Sequence, residues 1–304
     1  MRSLIDLKNI MLNLAPREGI FTTSLANLSV IRSDRPTVPQ LVLYEPALCI
    51  VAQGVKEAQL ETRTYRYDAS HYLLGSACLP VMGAVVEGSE RKPFLCLRVE
   101  LDRAVVAELI ENVAPEKLSD SPCSALNIGV LNDQLLDAVV RLLELTTRPL
   151  DRSVLAPLIE REIVWYLLNT SSGAVMLAQM VRRAKNYRTL YDTLAWLEKH
   201  FAESSSCQDL AGRASMSQSK FYSQFKALTG TSPIRYRARL RLIEARRLMV
   251  VDGFDAASAG FKVGYNEPSQ FSREYSSYFG LPPKRDVERL LSSEGDVSVL
   301  FSGR

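Results

Sequence analysis

The C-terminal third of the sequence repeats itself, and this repeat limits the folds that the chain can adopt. The matched segments are Phe221–Phe225 with Phe271–Tyr275, Gly230–Pro233 with Gly280–Pro283, and Ala211–Met216 with Gly260–Tyr265. The first two pairs are offset by fifty positions, and the third pair by one position fewer. A unit of this length that occurs twice predicts two copies of one supersecondary structure.

Each copy predicts a helix of about two turns, a short turn and a second helix. The small residue Ala211 suits the crossing of two helices, and Phe221 and Phe225, four positions apart, suit the buried side of the second helix. Ser217 is suited to cap that helix, and Pro268 to begin its counterpart. The repeat is therefore predicted to be a pair of helix-turn-helix motifs.

The charge of the chain divides at the same place. The segment Lys185–Leu290 contains 17 Lys and Arg against 11 Asp and Glu, whereas residues 1–184 contain 19 against 21. A basic segment favours a polyanionic partner such as nucleic acid, although an excess of this size also occurs on ordinary solvated surfaces. Since the chain has 304 residues, we expect two domains, at residues 1–184 and 185–304.

Residues up to about Leu101 predict a β domain. Apolar runs rich in Val, Tyr and Leu are separated by Pro and Gly at short intervals, which is typical of an antiparallel sandwich or barrel. The predicted strands are Leu41–Val51, Tyr72–Leu79, Val81–Val86 and Phe94–Leu101.

Two helices are expected between about residues 131 and 170. Apolar residues recur at helical spacing from Leu131, where Asn132 is placed as an N-cap, and again at Val154–Leu168. A turn is expected at Thr170–Gly173, and a helix then passes into a linker that includes Arg182 and Arg183. The two helices could cover the core of their own chain or form a dimer seam, and a pattern this short leaves both readings open.

Agreement with a known family extends through both repeats and the helix between them. The segments that carry it are Ala195–Phe201, Asp209–Ala211, Phe225–Pro233, Arg239–Leu248 and Val263–Tyr275. In these segments the sequence resembles the AraC/XylS family of transcription regulators. The N-terminal half resembles the cupin-like regulatory domain of one AraC subgroup, at Glu45–Lys56 and Leu79–Met82.

This resemblance implies an α+β protein. An N-terminal cupin-like β-barrel with a helical segment would serve effector binding and dimerisation, and a C-terminal all-α domain would carry two helix-turn-helix motifs. The resemblance further implies a homodimeric transcription regulator, such as an activator, with double-stranded DNA and RNA polymerase as partners. Three positions depart from the family pattern: Ser215 where Gly is frequent, Gly260 where Ala is usual, and Glu267 in place of a small capping residue.

A cytoplasmic location without membrane contact is expected. The most apolar stretch, Gly75–Val86, is too short for a spanning helix, and no signal peptide is readable in Met1–Arg17. The five cysteines include no CxxC pair, which favours a reducing compartment.

Candidate DNA-binding residues lie opposite the aromatic side of each predicted recognition helix. They are Gln218, Ser219, Tyr222, Ser223 and Lys226 in the first copy, and Ser269, Gln270 and Arg273 in the second. Arg is suited to guanine, Gln to adenine, and Ser to base edges or phosphates. In the connecting helix, Arg235 and Arg239 are placed to meet phosphates, and Arg246 either joins them or pairs with an internal carboxylate.

The N-terminal half is expected to bind a small organic effector and no metal or other cofactor. His71 is its single histidine, which argues against a metal-dependent cupin enzyme. The candidate pocket residues are Tyr44, Cys49, Leu73, Cys78, Met82, Phe94 and Cys96. Its cysteines are either inert buried residues or targets of an electrophile such as an aldehyde.

The chain is therefore expected not to be an enzyme. Two rival interpretations remain besides an electrophile sensor: a cupin-type enzyme fused to a DNA-binding module, and a constitutive DNA binder with a structural barrel.

Overall fold

The structure is a computed structural model that describes residues 2–114, 118, 123–181 and 185–292, with backbone only at 185–187. The predicted domain boundary after residue 184 and the predicted linker residues Arg182 and Arg183 lie outside the described residues. Across the described part of the chain, no helix is long and apolar enough to cross a membrane.

Two antiparallel sheets form the N-terminal half, and we call them together the barrel. The strands are β1 Gly19–Thr22, β2 Leu28–Ser33, β3 Gln40–Tyr44, β4 Ala47–Gln53, β5 Val55–Leu60, β6 Arg63–Tyr67, β7 His71–Gly75, β8 Leu79–Glu87, β9 Phe94–Glu100 and β10 Leu126–Val130. The large sheet has the order β1-β2-β9-β4-β7-β10, and the small sheet has the order β3-β8-β5-β6.

Two of the predicted strands are wrong in extent, because the chain changes sheet within them. The predicted strand Leu41–Val51 is broken at Glu45 and Pro46, where the chain passes from β3 in the small sheet to β4 in the large sheet. The predicted strand Tyr72–Leu79 ends at Gly75, because the chain then crosses back to β8.

The large sheet is apolar on both faces. Along β4, Leu48 and Ile50 belong to a cluster with the N-terminal helices, whereas Val51 belongs to a cluster with the small sheet. Successive side chains of a strand point to opposite faces, so one face of this sheet lines the barrel interior and the other lies under a helical layer.

Helices cover the outer face of the large sheet. They are α1 Leu4–Leu14, α2 Arg103–Leu109, α3 Asp133–Glu144, α4 Pro149–Leu168 and α5 Ser171–Met180. Asn132 caps α3 as predicted, with its side chain accepting a hydrogen bond from the Leu135 N–H at 2.8 Å. The turn predicted at Thr170–Gly173 is wrong: the Thr170 hydroxyl accepts from the Gly173 N–H at 3.1 Å and so starts α5 as its N-cap.

The C-terminal half is helical. Together with the two sheets of the N-terminal half, it confirms the predicted α+β fold class. Its helices are α6 Lys185–His200, α7 Cys207–Arg213, α8 Gln218–Thr229, α9 Pro233–Val250, α10 Ala256–Lys262, α11 Pro268–Phe279 and α12 Pro283–Ser292. The pairs α7–α8 and α10–α11 are the two helix-turn-helix motifs. The repeat extends to the backbone, since Gly230 and Gly280 end α8 and α11 in the left-handed conformation, with φ of 76° and 75°.

The turns of both motifs contain a left-handed residue at the matched position. In the second motif this is Gly264, with φ of 93°, where an added Cβ would lie 2.2 Å from the Ala202 carbonyl oxygen. In the first motif it is Ser215, with φ of 54°. A side chain makes this backbone conformation unfavourable, so Ser215 stores strain that Gly264 avoids.

Arg241 on α9 joins the two motifs. Its guanidinium donates to the Phe201 carbonyl at 2.7 Å and the Ala202 carbonyl at 3.0 Å, ahead of α7, and to the Gly264 carbonyl at 2.9 Å, ahead of α11. Burial lowers the pKa of Arg241 from its ordinary value. One side chain therefore links the segment ahead of the first motif to the turn within the second motif.

The barrel and the first helix-turn-helix motif share one apolar cluster. Leu73 and Val81 of the barrel belong to the same cluster as Phe225 and Tyr236 of the C-terminal half. Hydrogen bonds also join the barrel to the C-terminal half. Among them are those from the Ala125 N–H to the Leu228 carbonyl at 2.9 Å, from the Tyr236 hydroxyl to the Cys78 carbonyl at 2.8 Å, and between the Ser76 and Tyr191 hydroxyls at 3.1 Å.

A buried ion pair holds α12 against α9. Arg246 and Asp286 are 2% and 0% exposed, and their side chains approach to 2.8 Å. The Tyr275 hydroxyl donates to the same Asp286 carboxylate at 2.8 Å. Of the two roles left open for Arg246, the structure shows the internal pair.

We expect Asp286→Asn to lower the free energy of unfolding by about 3 to 5 kcal/mol, because it leaves Arg246 buried without a counter-charge. Asp252→Asn is the matched control, since Asp252 pairs with Arg247 at 3.0 Å but is 38% exposed. Its loss is expected to stay below about 1 kcal/mol. Urea unfolding of both variants measures the difference, and equal losses would contradict a structural role for the buried pair.

We expect Ser215→Gly to raise the free energy of unfolding by about 1 kcal/mol, because glycine relieves the left-handed strain. Ser223→Gly, in the middle of α8, is the control and is expected to lower it by about 0.5 kcal/mol. Thermal and urea unfolding measure both. A Ser215→Gly variant that is less stable than the parent would refute the strain.

Candidate nucleic-acid interface and barrel interior

The first recognition helix, α8, buries one side and exposes the other. Ser217 caps it as predicted and accepts from the Lys220 N–H at 3.4 Å. Phe221 and Phe225 are fully buried, with ring centroids 5.4 Å apart. The predicted residues Gln218, Ser219, Tyr222, Ser223 and Lys226 are all exposed. The structure thus brings these five polar side chains together on the solvent side of α8.

The second recognition helix, α11, is arranged in the same way. Pro268 stands in its first turn as predicted, and Phe271 and Tyr275 are buried with ring centroids 5.5 Å apart. The predicted residues Ser269, Gln270 and Arg273 are exposed. Two polar helix faces of matching construction therefore stand at equivalent places in the two motifs.

Contacts within α11 orient one of these side chains. The Gln270 amide donates to the Glu274 carboxylate at 3.0 Å, and the Tyr265 hydroxyl donates to the same carboxylate at 2.6 Å. Arg273 has no ion pair with any residue that the structure describes. Its guanidinium is therefore available for bidentate hydrogen bonding, the geometry that reads guanine.

The arginines of α9 do not form one exposed stripe. Arg235 is exposed, but Arg239 is 11% exposed and pairs with Glu61 of the barrel at 2.9 Å. The Arg239 guanidinium also lies 5.4 Å from the ring centroid of Tyr278. The sequence offered no signal for this pair, because Glu61 and Arg239 lie in different halves of the chain.

The barrel interior contains most of the predicted pocket residues. Tyr44, Cys49, Leu73, Phe94 and Cys96 belong to the interior cluster. Met82 does not, because it pairs with Leu41 and Gln59 and lies on the opposite face of the small sheet from Val81. Cys78 was predicted to lie on a strand, but the structure places it between β7 and β8.

Lys56 was missed by the sequence reasoning, although it lies among these residues. In the strand pairing it stands opposite Tyr67 and Val85, which are buried in the interior cluster. Its ammonium lies 5.3 Å from the centroid of the Tyr44 ring. Strand alternation would place Lys56 on the interior face of β5, but the hairpin β5–β6 was not predicted, so this signal could not be used.

The interior cysteines differ in acidity. A hydrogen bond from the Cys96 thiol lowers the pKa of Cys49 to about 7. The Lys56 ammonium also lowers this pKa, whereas burial acts to raise it. The hydrogen bond to Cys49 and burial raise the pKa of Cys96. Cys49 is therefore the more nucleophilic of the two thiols at neutral pH.

His71 forms a contact with a neighbouring carboxylate. Its Nδ1 lies 2.8 Å from the Asp68 carboxylate. Among the described residues, no group of three or more His, Cys, Asp and Glu side chains could hold a metal ion.

Two family models match the sequence. The model for the N-terminus of AraC-type transcriptional regulators matches residues 24–175, which is half of the chain, and a helix-turn-helix domain model matches residues 210–289. Both matches agree with the architecture described above.

Curated relatives include the HTH-type transcriptional activator RhaS from two bacteria. RhaS of Citrobacter koseri is 35% identical over 35% of this chain and 38% of its own length. RhaS of Salmonella schwarzengrund is 31% identical over 52% of this chain and 56% of its own length. The chain thus matches between about a third and just over half of the length of these relatives.

A solved structure extends the likeness to most of the chain. ToxT from Vibrio cholerae O395, bound to (E)-4-(8-methylnaphthalen-1-yl)but-3-enoic acid, has a TM-score of 0.58, with 86% of this chain and 97% of ToxT covered. At 10% sequence identity this similarity concerns the fold alone. The two family models show that the chain belongs to the AraC/XylS family of transcriptional regulators.

Proposed function

We propose that this regulator reads two successive turns of the DNA major groove with α8 and α11 and that the barrel controls this binding through a small organic effector. The observation that carries the proposal is the repeated exposure of polar side chains on two recognition helices whose opposite sides are buried. The N-terminal part of a recognition helix reads base edges.

The proposed DNA contacts divide by chemistry. Arg273 and Gln270 on α11, with Gln218 on α8, are suited to base edges. Lys226 and Arg235 are suited to phosphates, which position the protein and add sequence-independent affinity. Arg239 becomes available to a phosphate only when its contact with Glu61 is broken.

The proposed effector site is the barrel interior. It offers a mainly apolar lining, with Leu73 and Phe94 as examples, and a few polar groups, which is the composition of small-molecule sites. That ToxT has been solved with a small organic acid supports a ligand-binding role for this fold. In this proposal the barrel senses a ligand and catalyses no reaction.

We further propose a homodimer formed through α4. This helix buries Ile159 and Ile163 against the large sheet but leaves large apolar side chains exposed on its other side. These are Leu150 at 90%, Val154 at 64%, Leu155 at 41%, Leu158 at 59% and Trp165 at 36%. An apolar stripe of this length is typical of a protein–protein contact. By contrast, the apolar side of α3 is buried as core cover.

We also propose that the protein activates transcription in the cytoplasm and that RNA polymerase is its partner in this role. The activator role is supported by the name of the RhaS relatives.

The contact of Glu61 with Arg239 couples the two halves in this proposal. Glu61 lies in the two-residue turn between β5 and β6 with a left-handed φ of 55°. The neighbouring Leu60 contacts the backbone of Gly230 at the end of α8, where an added Cβ would meet it at 2.9 Å. The tip of this hairpin thus touches both α8 and α9.

We expect Arg273→Ala to weaken binding to an operator selected in vitro by about 1 to 3 kcal/mol and to relax the preference at one base position. Arg91→Ala, in an exposed barrel loop, is the matched control and should leave affinity unchanged. Fluorescence anisotropy with the operator and single-base variants measures both. Unchanged base preference in Arg273→Ala would refute its role in readout.

We expect Glu61→Gln to strengthen DNA binding about two- to fivefold at low salt, because it releases Arg239 to neutralise a phosphate. The slope of log affinity against log salt should steepen by about one. Adding Arg239→Gln should remove the gain.

Glu57→Gln is the control for this prediction, since Glu57 pairs at 2.9 Å with the exposed Arg66 of the neighbouring strand β6 and not with the C-terminal half. Its affinity and salt slope should equal those of the parent. A Glu61→Gln variant with an unchanged slope would contradict the proposed coupling.

A further inference from the structure

Glu274 is a half-buried acidic residue on the second recognition helix, α11. It lies four positions after the exposed Gln270, and residues at this spacing are neighbours on one side of a helix. A carboxylate beside a surface that approaches DNA repels the phosphates, so by charge alone Glu274 opposes binding. Its place on α11 therefore calls for a role other than attraction to the duplex.

One oxygen of the Glu274 carboxylate is held by a buried donor. The Tyr265 hydroxyl, in the turn before α11, donates to Oε2 of Glu274 at 2.6 Å. Tyr265 is 5% exposed, and its ring packs edge-on against Phe271 with the centroids 5.3 Å apart. Burial and the contact with Glu274 raise the pKa of Tyr265, so its hydroxyl keeps its proton and remains a donor. The carboxylate is thus tied to the core of the second motif.

The other oxygen of the carboxylate holds Gln270. The amide nitrogen of Gln270 donates to Oε1 of Glu274 at 3.0 Å. Since an ionised carboxylate can only accept hydrogen bonds, the NH2 group of the amide must face Glu274 and the carbonyl oxygen must face away. One N–H and the carbonyl oxygen of Gln270 then remain for a contact with DNA.

These two remaining groups match one base. Adenine presents an acceptor, N7, and a donor, the N6 amino group, in the major groove. If the Gln270 amide could turn over, it could instead donate from its NH2 group to the two acceptors of guanine or accept from the amino group of cytosine. The hydrogen bond to Glu274 opposes such a turn.

The first motif does not repeat this arrangement. At the positions that match Tyr265, Gln270 and Glu274, the first motif has Met216, Lys220 and Gln224. Methionine has no hydroxyl group, and neither lysine nor glutamine supplies a carboxylate. The arrangement therefore belongs to α11 alone and distinguishes the two recognition helices.

We propose that Glu274 is a positioning residue that holds the Gln270 amide in one orientation and thereby restricts the base read by Gln270 to adenine. This inference deepens the proposed function, on which it rests for the contact of α11 with the major groove.

The test begins with the base that Gln270 reads. Fluorescence anisotropy measures the affinity of the full chain for an operator selected in vitro and for its single-base variants. We expect the parent to prefer adenine at one position by at least about fivefold, the lower end of the discrimination that a bidentate contact gives. Gln270→Ala should abolish this preference and so identify the position.

Glu274→Gln tests the positioning role. The new side chain has nearly the same size, but its amide can accept or donate, so it permits both orientations of the Gln270 amide. We expect the adenine preference at the position identified by Gln270→Ala to fall at least about threefold. Tyr265→Phe keeps the carboxylate but removes the donor that holds it, and it should lower the same preference by a smaller factor.

The double variant Gln270→Ala with Glu274→Gln separates positioning from direct contact. If Glu274 acts through Gln270, its substitution should have no further effect on base preference once Gln270 is truncated. A residue that contacts a base by itself would retain its effect in the double variant.

Glu288→Gln is the matched control, because Glu288 is exposed on α12 and its substitution removes the same charge away from the recognition helices. It should leave every base preference as in the parent. Loss of a carboxylate can raise affinity for all sequences, but a preference compares two operators with the same protein, so this effect cancels. Circular dichroism and the melting temperature establish that each variant is folded, and Glu274→Ala replaces Glu274→Gln if the latter does not fold.

Three results would overturn the inference: a base other than adenine at the position identified by Gln270→Ala, an unchanged preference there in Glu274→Gln, or a change at a different position. Failure of the proposed function has a different signature. Absence of operator binding by the parent, or an unaltered preference in Gln270→Ala, counts against the proposed DNA contacts and the inference together. Parent-like preference in Glu274→Gln, with the preference lost in Gln270→Ala, counts against the positioning role alone.

Discussion

The large sheet is apolar on both faces, and the elements of the N-terminal half are arranged to cover it. Helices α1 to α5 cover the outer face, and the small sheet covers the inner one. The inner cover is continued by the first helix-turn-helix motif, since Phe221 and Phe225 belong to the same apolar cluster as Val51. Burial of a shared apolar surface is the main stabilising term in folding, so the position of the DNA-binding half follows from completion of the barrel core.

In the proposed function, this shared core connects a ligand inside the barrel to the recognition helices. The strand β5 carries Lys56 in the interior and ends at Leu60 and Glu61, which contact the C-terminal half. Lys56 and Glu61, the partner of Arg239, are five positions apart in the sequence. A change in the position of β5 would therefore act directly on α9, without a long chain of intermediate contacts.

The repeat allowed the C-terminal half to be predicted in detail, because local signals agree with the tertiary packing there. The cap at Ser217, the aromatic pairs such as Phe271 with Tyr275, and the exposed faces of both recognition helices are all as the periodicity indicates. The barrel was predicted only as a class. Its strands pass between two sheets at Pro46 and after Gly75, and apolar runs do not show where a chain changes sheet. For the same reason Met82 was assigned to an interior that it does not face. The pair of Glu61 with Arg239 had no local signal, since it depends on how the two halves pack.

The link made by Arg241 has a consequence for the DNA. Its hydrogen bonds to carbonyls ahead of α7 and ahead of α11 tie the two motifs into one body. A body of fixed shape presents its two recognition helices at one separation, whereas neighbouring major grooves of straight B-DNA are one helical turn apart. Where the two distances differ, the duplex must bend to meet both helices, and the energy of bending depends on sequence. Flexible steps such as TA and CA between the two contacted grooves would then contribute to operator choice, although no side chain touches them.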